Sequence, residues 1–163
     1  MDKLWAPWRI KYITSTKKQK SCIFCQAAKL KNKHYVVFKT KHSVVLLNIF
    51  PYNNGHLMVC PIRHIKDLTA LKQEETLDLF DSLKTSQLLL QKTLRPEGFN
   101  IGINLSKSAG AGITGHMHIH IVPRWRGDTN FMPVIGETKI ISQSLKELLK
   151  LLKDAYKKSD KNI

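Results

Sequence analysis

The stretch GHMHIHIVPRW, residues 115–125, spaces three histidines two residues apart. In an extended strand, alternate side chains point to the same face, so we expect His116, His118 and His120 to lie together. The residues between them are apolar and are expected to face a core: Met117, Ile119 and Ile121. A single histidine is usually a packed or solvated residue, whereas three aligned histidines indicate a functional site. Such a site could hold a metal ion, provide a nucleophile, or do both.

Segments typical of β-structure surround the histidine strand. HYVVFKT and SVVLLN lie within residues 34–48, with KH between them, and predict a hairpin. HLMVCPI (56–62) and GFNIGINL (98–105) predict two further strands. Because few helices separate these strands, the order of elements favours an α+β fold with an antiparallel sheet.

Two longer segments have helical periodicity. Residues 73–94 place apolar side chains on one helical face, and Pro96 is expected to end this helix. That face is predicted to comprise Leu77, Phe80, Leu83, Leu90 and Leu94. A last helix follows, which Ser142 could cap. Its buried side is predicted to comprise Leu145, Leu149, Leu152 and Tyr156.

The composition is that of an ordinary globular protein with a strongly basic balance. The chain has 163 residues and a formal net charge of +15, which favours anionic partners such as nucleotides. The lysines are scattered without interleaved aromatic residues, so a solvated surface is the simpler reading and the pattern argues against a nucleic-acid platform. No apolar run is long enough to span a membrane, and the start, MDKLWAPWRI, lacks the order of a secretory signal. We therefore expect a cytoplasmic protein.

Cys22 and Cys25 form a C-x-x-C pair, and Cys60 stands alone in a predicted strand, where it is expected to be a small core residue. An odd number of cysteines without a signal sequence argues against a disulfide scaffold. The pair fits one half of a tetrahedral zinc site, although redox chemistry or chance would give the same spacing. Histidines that could complete the site are His34, His42, His64 and the three of the histidine strand.

A loop of small residues, SKSAGAGITG (106–115), leads into the histidine strand. Glycines at 110, 112 and 115 allow backbone N–H groups to converge, and such concave turns bind phosphate oxygens. Most loops of this composition are only turns, but the position directly before three histidines favours an anionic ligand.

The run HMHIHIV matches the pattern His-φ-His-φ-His-φ-φ, where φ is apolar. This resembles the signature of the histidine triad (HIT) superfamily of nucleotidyl hydrolases and transferases. LLNIFPYNNGHLMVCPIRH (46–64) looks like the substrate-binding loop and following strand of that family, and the resemblance covers residues 22–155. LWAPWR (4–9) and PRWRGDTNF (123–131) are similar to the diadenosine tetraphosphate phosphorylase-like branch.

The resemblance implies a HIT-like α+β fold, with about five antiparallel strands, two main helices and a homodimer that extends the sheet. We expect one domain over residues 1–157, followed by a flexible tail at 158–163. Within the domain, residues 22–64 would hold a zinc knuckle and the substrate-binding loop, and residues 98–125 the catalytic strand region.

The resemblance also implies roles for single residues. His118 would be the nucleophile that attacks the α-phosphorus of a nucleotide, with His120 and His56 beside it. The remaining phosphate and nucleotide contacts would come from Asn48, Asn104, Gly110, Ala111 and Gly112. Asn48 and Asn104 could instead be a turn residue and a solvated strand residue. Leu47, Ile49 and Phe50 would wall the nucleoside, or serve as plain core.

Some histidine triad proteins bind structural zinc through two cysteines, a histidine that ends a P-x-x-H segment, and the first triad histidine. The matching residues are Cys22, Cys25, His64 and His116. The resemblance therefore implies a zinc cofactor held by these four side chains.

The function that the resemblance implies is cleavage of dinucleoside polyphosphates, such as diadenosine tetraphosphate, through a nucleotidyl-histidine intermediate. The acceptor would be phosphate in a phosphorylase or water in a hydrolase. An alternative is a nucleoside phosphoramidate hydrolase. An alternative of another class is a zinc-stabilised nucleic-acid-binding module, although lysines would serve that role better than aligned histidines.

Overall fold

The computed structural model describes residues 22–29, 35–136 and 140–160. Five strands form one sheet: β1 Val36–Lys39, β2 Ser43–Leu47, β3 Leu57–Pro61, β4 Gly98–Ile103 and β5 Ile119–Arg124. The helices are α1 Ile23–Lys29, α2 Gln73–Leu94, α3 Met132–Ile135 and α4 Leu145–Asp160, with a short 3-10 helix at Leu68–Ala70. The LWAPWR segment and His34 lie outside the described residues.

The sheet has the order β1-β2-β3-β5-β4, and every neighbouring pair is antiparallel. The predicted α+β fold with a five-stranded antiparallel sheet and two main helices is therefore confirmed, as is the predicted β1–β2 hairpin. Because β5 lies between β3 and β4, residues distant in sequence become neighbours, and Met58 pairs with His120. This insertion brings the start of β3 beside the histidine strand.

Helices α2 and α4 cover one face of the sheet. The core on this side includes Leu47, Leu57 and Val59 from the sheet, Leu79 and Leu90 from α2, and Leu152 from α4. Burying aliphatic side chains of this kind contributes about 1.5–3 kcal/mol each. The opposite face carries a smaller cluster, in which Phe24 and Ala27 of α1 pack against Met58 and Cys60. Helix α1 thereby lies on the face that also bears the histidines.

The predicted buried face of α2 is wrong at two positions. Leu77 is 62% exposed and Phe80 is 56% exposed, whereas Leu79, Leu83 and Leu90 are buried. Apolar residues occur in several helical phases along 77–94, so periodicity alone could not select the stripe that meets the sheet. Contact with β2 and β3 selects it.

Helix α4 buries Leu152 as predicted and also Leu148, with Leu145, Leu149 and Tyr156 packed around the core. Its first turn is capped by Ser144 rather than Ser142, because the N–H of Glu147 donates to Ser144 Oγ at 3.2 Å. The helix continues to Asp160, beyond the predicted start of the tail at residue 158. Within the described part of the chain, no helix is both long and apolar enough to cross a membrane.

Candidate functional site

The regular hydrogen bonding of β5 begins at Ile119, so only His120 of the three histidines lies inside the strand. His116 and His118 precede it, in a segment that is held by a hydrogen bond from the N–H of Met117 to the carbonyl of Ile65 at 2.8 Å. The predicted alternation nevertheless holds, since Met117, Ile119 and Ile121 are buried in the core. The rings of His118 and His120 meet edge to face, with their centroids 4.8 Å apart.

The hydrogen bonding of His118 defines its tautomer. Its Nδ1 lies 3.0 Å from the backbone carbonyl oxygen of His116. A carbonyl oxygen can only accept, so Nδ1 carries the proton and the lone pair of the neutral ring is on Nε2. The side chain is buried against Phe24, whose ring centroid is 4.8 Å away. Burial lowers the pKa of His118, which keeps the ring neutral and nucleophilic.

His56 joins the triad although it is 64 residues distant from His120. Its Nε2 lies 2.8 Å from Nδ1 of His120, and its side chain is fully buried. The ring of Tyr52 covers both imidazoles, with centroid distances of 4.6 Å to His56 and 5.8 Å to His120. No local sequence feature distinguishes Tyr52 from an ordinary loop tyrosine, and only these tertiary contacts mark it as part of the site.

Asn48 directly follows β2, and Asn104 directly follows β4. The amide nitrogen of Asn48 lies 3.4 Å from Nδ1 of His56, and its Oδ1 accepts the N–H of Phe50 at 2.9 Å. Asn104 follows β4, where Ile103 pairs with Ile119. Extending that antiparallel register by one residue sets Asn104 opposite His118. Asn48 therefore lies beside His56, whereas the position of Asn104 near His118 follows from the strand register.

The predicted walls of a nucleoside site divide into two groups. Leu47 is 1% exposed and belongs to the core beneath α2, so the core alternative applies to it. Ile49 and Phe50 are 49% and 61% exposed. These two side chains are open to solvent on the loop that leads to His56.

The predicted phosphate-binding loop is folded on itself. The N–H of Gly110 donates to the carbonyl of Lys107 at 3.0 Å, and the N–H of Ala111 donates to that of Ser106 at 3.3 Å. Gly110 adopts a positive φ of 85°, as expected for such a turn. In this conformation the amides of Gly110 and Ala111 are hydrogen-bonded inside the loop, and their binding of phosphate stays a prediction. Gly112 follows this turn and is exposed.

The four predicted metal ligands converge although they come from three parts of the chain. The ligand atoms of Cys22, Cys25, His64 and His116 all lie within 4.8 Å of one another. Among the histidines that the sequence left open, His42 lies outside this cluster. Cys60 is a fully buried core residue, as predicted.

The geometry and chemistry of these four residues fit a metal ion. Nδ1 of His116 lies 3.4 Å from Cys22 Sγ and 3.6 Å from Cys25 Sγ, and Nδ1 of His64 lies 3.2 Å from Cys25 Sγ. Ligands at about 2.0–2.3 Å from a tetrahedral ion would be about 3.3–3.8 Å apart. Nε2 of His116 donates to the carbonyl of Pro61 at 2.8 Å, which directs the Nδ1 lone pair to the cysteines. These side chains can therefore hold a metal ion.

Phe24 and Arg63 hold in place the segments that carry the four candidate metal ligands. Phe24 lies between the two cysteines on α1 and packs on His116 and His118. Arg63, next to His64, forms a bidentate pair with Glu75 of α2, at 2.7 and 2.6 Å. The Arg63 guanidinium lowers the pKa of Glu75 to about 2. The position of Phe24 inside C-x-x-C is a sequence signal that could have drawn attention to it. No comparable signal marks Arg63.

Comparison with known proteins shows which family the chain belongs to. The HIT domain family model matches residues 29–127. The chain is 35% identical to AP-4-A phosphorylase of Mycobacterium tuberculosis, over 93% of this chain and 83% of that protein. It is 36% identical to the asymmetrical bis(5'-nucleosyl)-tetraphosphatase of Schizosaccharomyces pombe, over 57% of this chain and 50% of that protein.

Among solved structures, a zinc-bound histidine triad family protein from Mycobacterium smegmatis superimposes with a TM-score of 0.71 at 26% identity. The match covers 88% of this chain and 98% of that chain. The family model, the AP-4-A phosphorylase relative and the fold agree. The chain belongs to the histidine triad family.

Proposed function

We propose that this chain is an enzyme that cleaves dinucleoside polyphosphates, such as diadenosine tetraphosphate, through a nucleotidyl intermediate on His118. The observation that carries the proposal is the hydrogen bond from His118 Nδ1 to the carbonyl of His116, because it leaves the lone pair on Nε2. The named activities of the two curated relatives support the substrate class.

In the first step, Nε2 of His118 attacks the α-phosphorus and forms an N–P bond. The P–O bond to the remaining polyphosphate breaks, and its electron pair leaves on the oxygen. In the second step, an oxygen of phosphate or water attacks the same phosphorus, and the electron pair of the N–P bond returns to Nε2. The proton carried by the attacking oxygen passes to solvent. The covalent route divides one difficult displacement into two easier ones.

Charge that develops on the phosphoryl oxygens needs fixed donors. His120 is held by His56 at 2.8 Å and lies beside the nucleophile. We assign His120, Asn104 and Gly112 to the phosphates, and His56 to the support of His120. Asn48, with the exposed Ile49 and Phe50, is assigned to the nucleoside.

The metal that fits Cys22, Cys25, His64 and His116 is zinc, because two thiolates and two imidazoles in a closed set are typical of structural zinc sites. Bound zinc would tie α1 and the segment after β3 to the backbone of His116. The chain's own residues perform the chemistry, since all four ligand positions are filled by protein.

A homodimer is part of the same proposal. β4 lies at one edge of the described sheet, and its Ile101 is 48% exposed. An unpaired edge strand with an exposed apolar residue favours pairing with a second copy.

The test is to incubate the protein with diadenosine tetraphosphate, with and without inorganic phosphate, and to identify the products. ATP and ADP that appear only with phosphate would indicate a phosphorylase, and ATP and AMP without phosphate would indicate a hydrolase. Trapping the intermediate on His118 after acid-free quenching would test the covalent route. Turnover of nucleoside phosphoramidates, with none of dinucleoside polyphosphates, would overturn the proposed substrate class.

A further inference from the structure

We propose that Asn53 and Asp128 form a clamp that positions His56 and, through it, sets the tautomer of His120. Both are positioning residues, since neither contacts the nucleophile. The kinetic consequence rests on the proposed function, whereas the tautomer itself is a property of the folded chain.

The clamp starts from the side-chain amide of Asn53, a residue that is only 7% exposed. Its Nδ2 lies 3.0 Å from the carbonyl oxygen of Pro123 and 2.8 Å from Oδ2 of Asp128. A carbonyl and a carboxylate can only accept, so Nδ2 must be the donor to both. Both amide hydrogens therefore tie the 48–56 loop to the end of β5 and to the turn that follows it.

Asp128 is a fixed acceptor for this amide. Its carboxylate accepts from Arg124 Nε at 2.6 Å, from Arg124 Nη2 at 3.1 Å and from the N–H of Trp125 at 3.1 Å. The Arg124 guanidinium holds the pKa of Asp128 well below its usual range, so the carboxylate stays ionised. Arg124 also donates to Oδ1 of Asn100 on β4, at 2.7 Å. Arg124 therefore connects the clamp to β5 and, through Asn100, to β4.

A hydrogen bond and close packing fix the turn between Asn53 and His56. The N–H of His56 donates to the carbonyl of Asn53 at 3.2 Å. Gly55 between them has a φ of 80°, and a Cβ there would lie 2.6 Å from Leu94 Cδ1 and 2.9 Å from Pro123 Cγ. Only glycine satisfies both the left-handed φ and the close packing. The position of Asn53 therefore determines where Tyr52 and His56 stand.

The anchored loop directs the N–H of Tyr52 to Nδ1 of His56, at 3.1 Å. A backbone N–H can only donate, so Nδ1 of His56 accepts and the proton of the neutral ring is on Nε2. That Nε2–H then donates to Nδ1 of His120 at 2.8 Å. By the same logic, His120 carries its proton on Nε2.

For catalysis, the clamp means that the N–H donor of His120 is on Nε2 before the substrate binds. With its proton on Nε2, His120 can donate to a phosphoryl or leaving-group oxygen at the site without a change of tautomer when the substrate binds. If the clamp is released, the N–H of Tyr52 no longer restricts Nδ1 of His56. The amide of Asn48, at 3.4 Å, is then the remaining and longer donor contact to that atom, so both rings gain access to the other tautomer. Because the effect is on the transition state, we expect a loss in kcat rather than in KM.

The experiment combines ring-nitrogen NMR with kinetics on the full chain. ¹⁵N-histidine-labelled protein reports the tautomer of each imidazole, and single His56→Gln and His120→Gln variants assign the signals. The clamp variants are Asn53→Ala and Asp128→Asn, and the matched control is Asn54→Ala. Asn54 is in the same turn, but its side chain faces Gln143 at 3.4 Å instead of Asp128.

We expect the wild type to show Nε2–H tautomers for His56 and His120, and the clamp variants to shift both towards a tautomer mixture. In the same variants kcat for diadenosine tetraphosphate should fall about 10- to 100-fold, with KM nearly unchanged. If Asn53→Ala does not fold, the tautomers of Asp128→Asn test the proposal, because asparagine has nearly the same shape as aspartate and changes only the acceptor. Unchanged tautomers in the clamp variants, or an equal shift in Asn54→Ala, would overturn the proposal. Failure of the proposed function is distinct, since it would appear as wild-type protein without turnover but with the expected tautomers.

Discussion

Nδ1 of His118 lies 3.0 Å from the carbonyl oxygen of His116, and the side chain of His116 belongs to the metal-ligand cluster. His116 thus contributes to two sites, since its backbone carbonyl sets the tautomer of His118, the proposed nucleophile, and its imidazole lies beside two cysteines. This relationship links the four candidate metal ligands directly to the proposed nucleophile, although they take no part in any bond that the proposed reaction forms or breaks.

Replacing His118 with alanine should abolish turnover of diadenosine tetraphosphate. We expect a loss of at least about 10³-fold in kcat, because the nucleophile is removed while the fold is kept. Steady-state assays together with circular dichroism check this, and His42→Ala is the control because His42 lies in the β1–β2 turn. Free imidazole should partly restore activity to His118→Gly, since a cavity opens where the ring stood. Substantial activity in His118→Ala would move the nucleophile elsewhere.

The acid side of the pH profile should reflect the buried nucleophile. Burial lowers the pKa of His118 from its ordinary value of 6.5, so the neutral ring persists to lower pH. We expect the half-maximum of kcat/KM on the acid side to fall below pH 6.5, as measured at saturating metal and constant ionic strength. A half-maximum above pH 6.5, in protein that remains folded, would contradict this assignment.

Purified protein should contain about one zinc ion per chain, as measured by inductively coupled plasma mass spectrometry. Cys25→Ala should lose most of the metal and unfold at a lower temperature, because two ligand-bearing segments are released from His116. Cys60→Ala is the matched control, since Cys60 is buried outside the cluster. Metal content that is far below one per chain in wild-type protein would refute the zinc assignment.

The Arg63–Glu75 pair should stabilise the fold in a pH-dependent way. The pKa of Glu75 falls from 4.5 to about 2 on folding, so the stabilisation is fully present above pH 4.5 and is lost as the pH falls towards about 2. At pH 7, Glu75→Gln should lower the free energy of unfolding by about 1–3 kcal/mol. Urea titrations at several pH values measure this, with the exposed Glu74→Gln as the control. A difference between wild type and Glu75→Gln that does not narrow in acid would contradict the pairing.

The oligomeric state should depend on the edge strand β4. If two chains pair there, light scattering after gel filtration will give twice the mass of one chain. Ile101→Lys should then shift the protein to monomers, because a charge on an edge strand blocks pairing. A surface control is Lys84→Glu, on the exposed side of α2. A wild-type monomer at micromolar concentration would reject the dimer.

Much of the fold could be predicted from local patterns. Runs of β-forming residues in 34–48 and 56–62 and alternation in 98–105 indicated strands, and the spacing in 73–94 indicated a helix with its correct ends. These signals are local, because side-chain period follows directly from backbone geometry. Which residues of α2 are buried could not be predicted from the local pattern, and Leu77 and Phe80, predicted to be buried, are exposed.

The sequence by itself determined which residue types are available for chemistry: three histidines at alternate positions, a C-x-x-C pair and two asparagines in or beside predicted strands. Tertiary structure alone decided how they meet. The pairing of β3 with β5 brings His56 to His120 across 64 positions, and the packing of α1 brings Cys22 and Cys25 to His64 and His116. Hydrogen bonds in the folded chain then decide which ring nitrogen carries each proton. The physical reason is that contacts between distant segments depend on which strands pair and which faces are buried, and a local periodicity is compatible with several such arrangements.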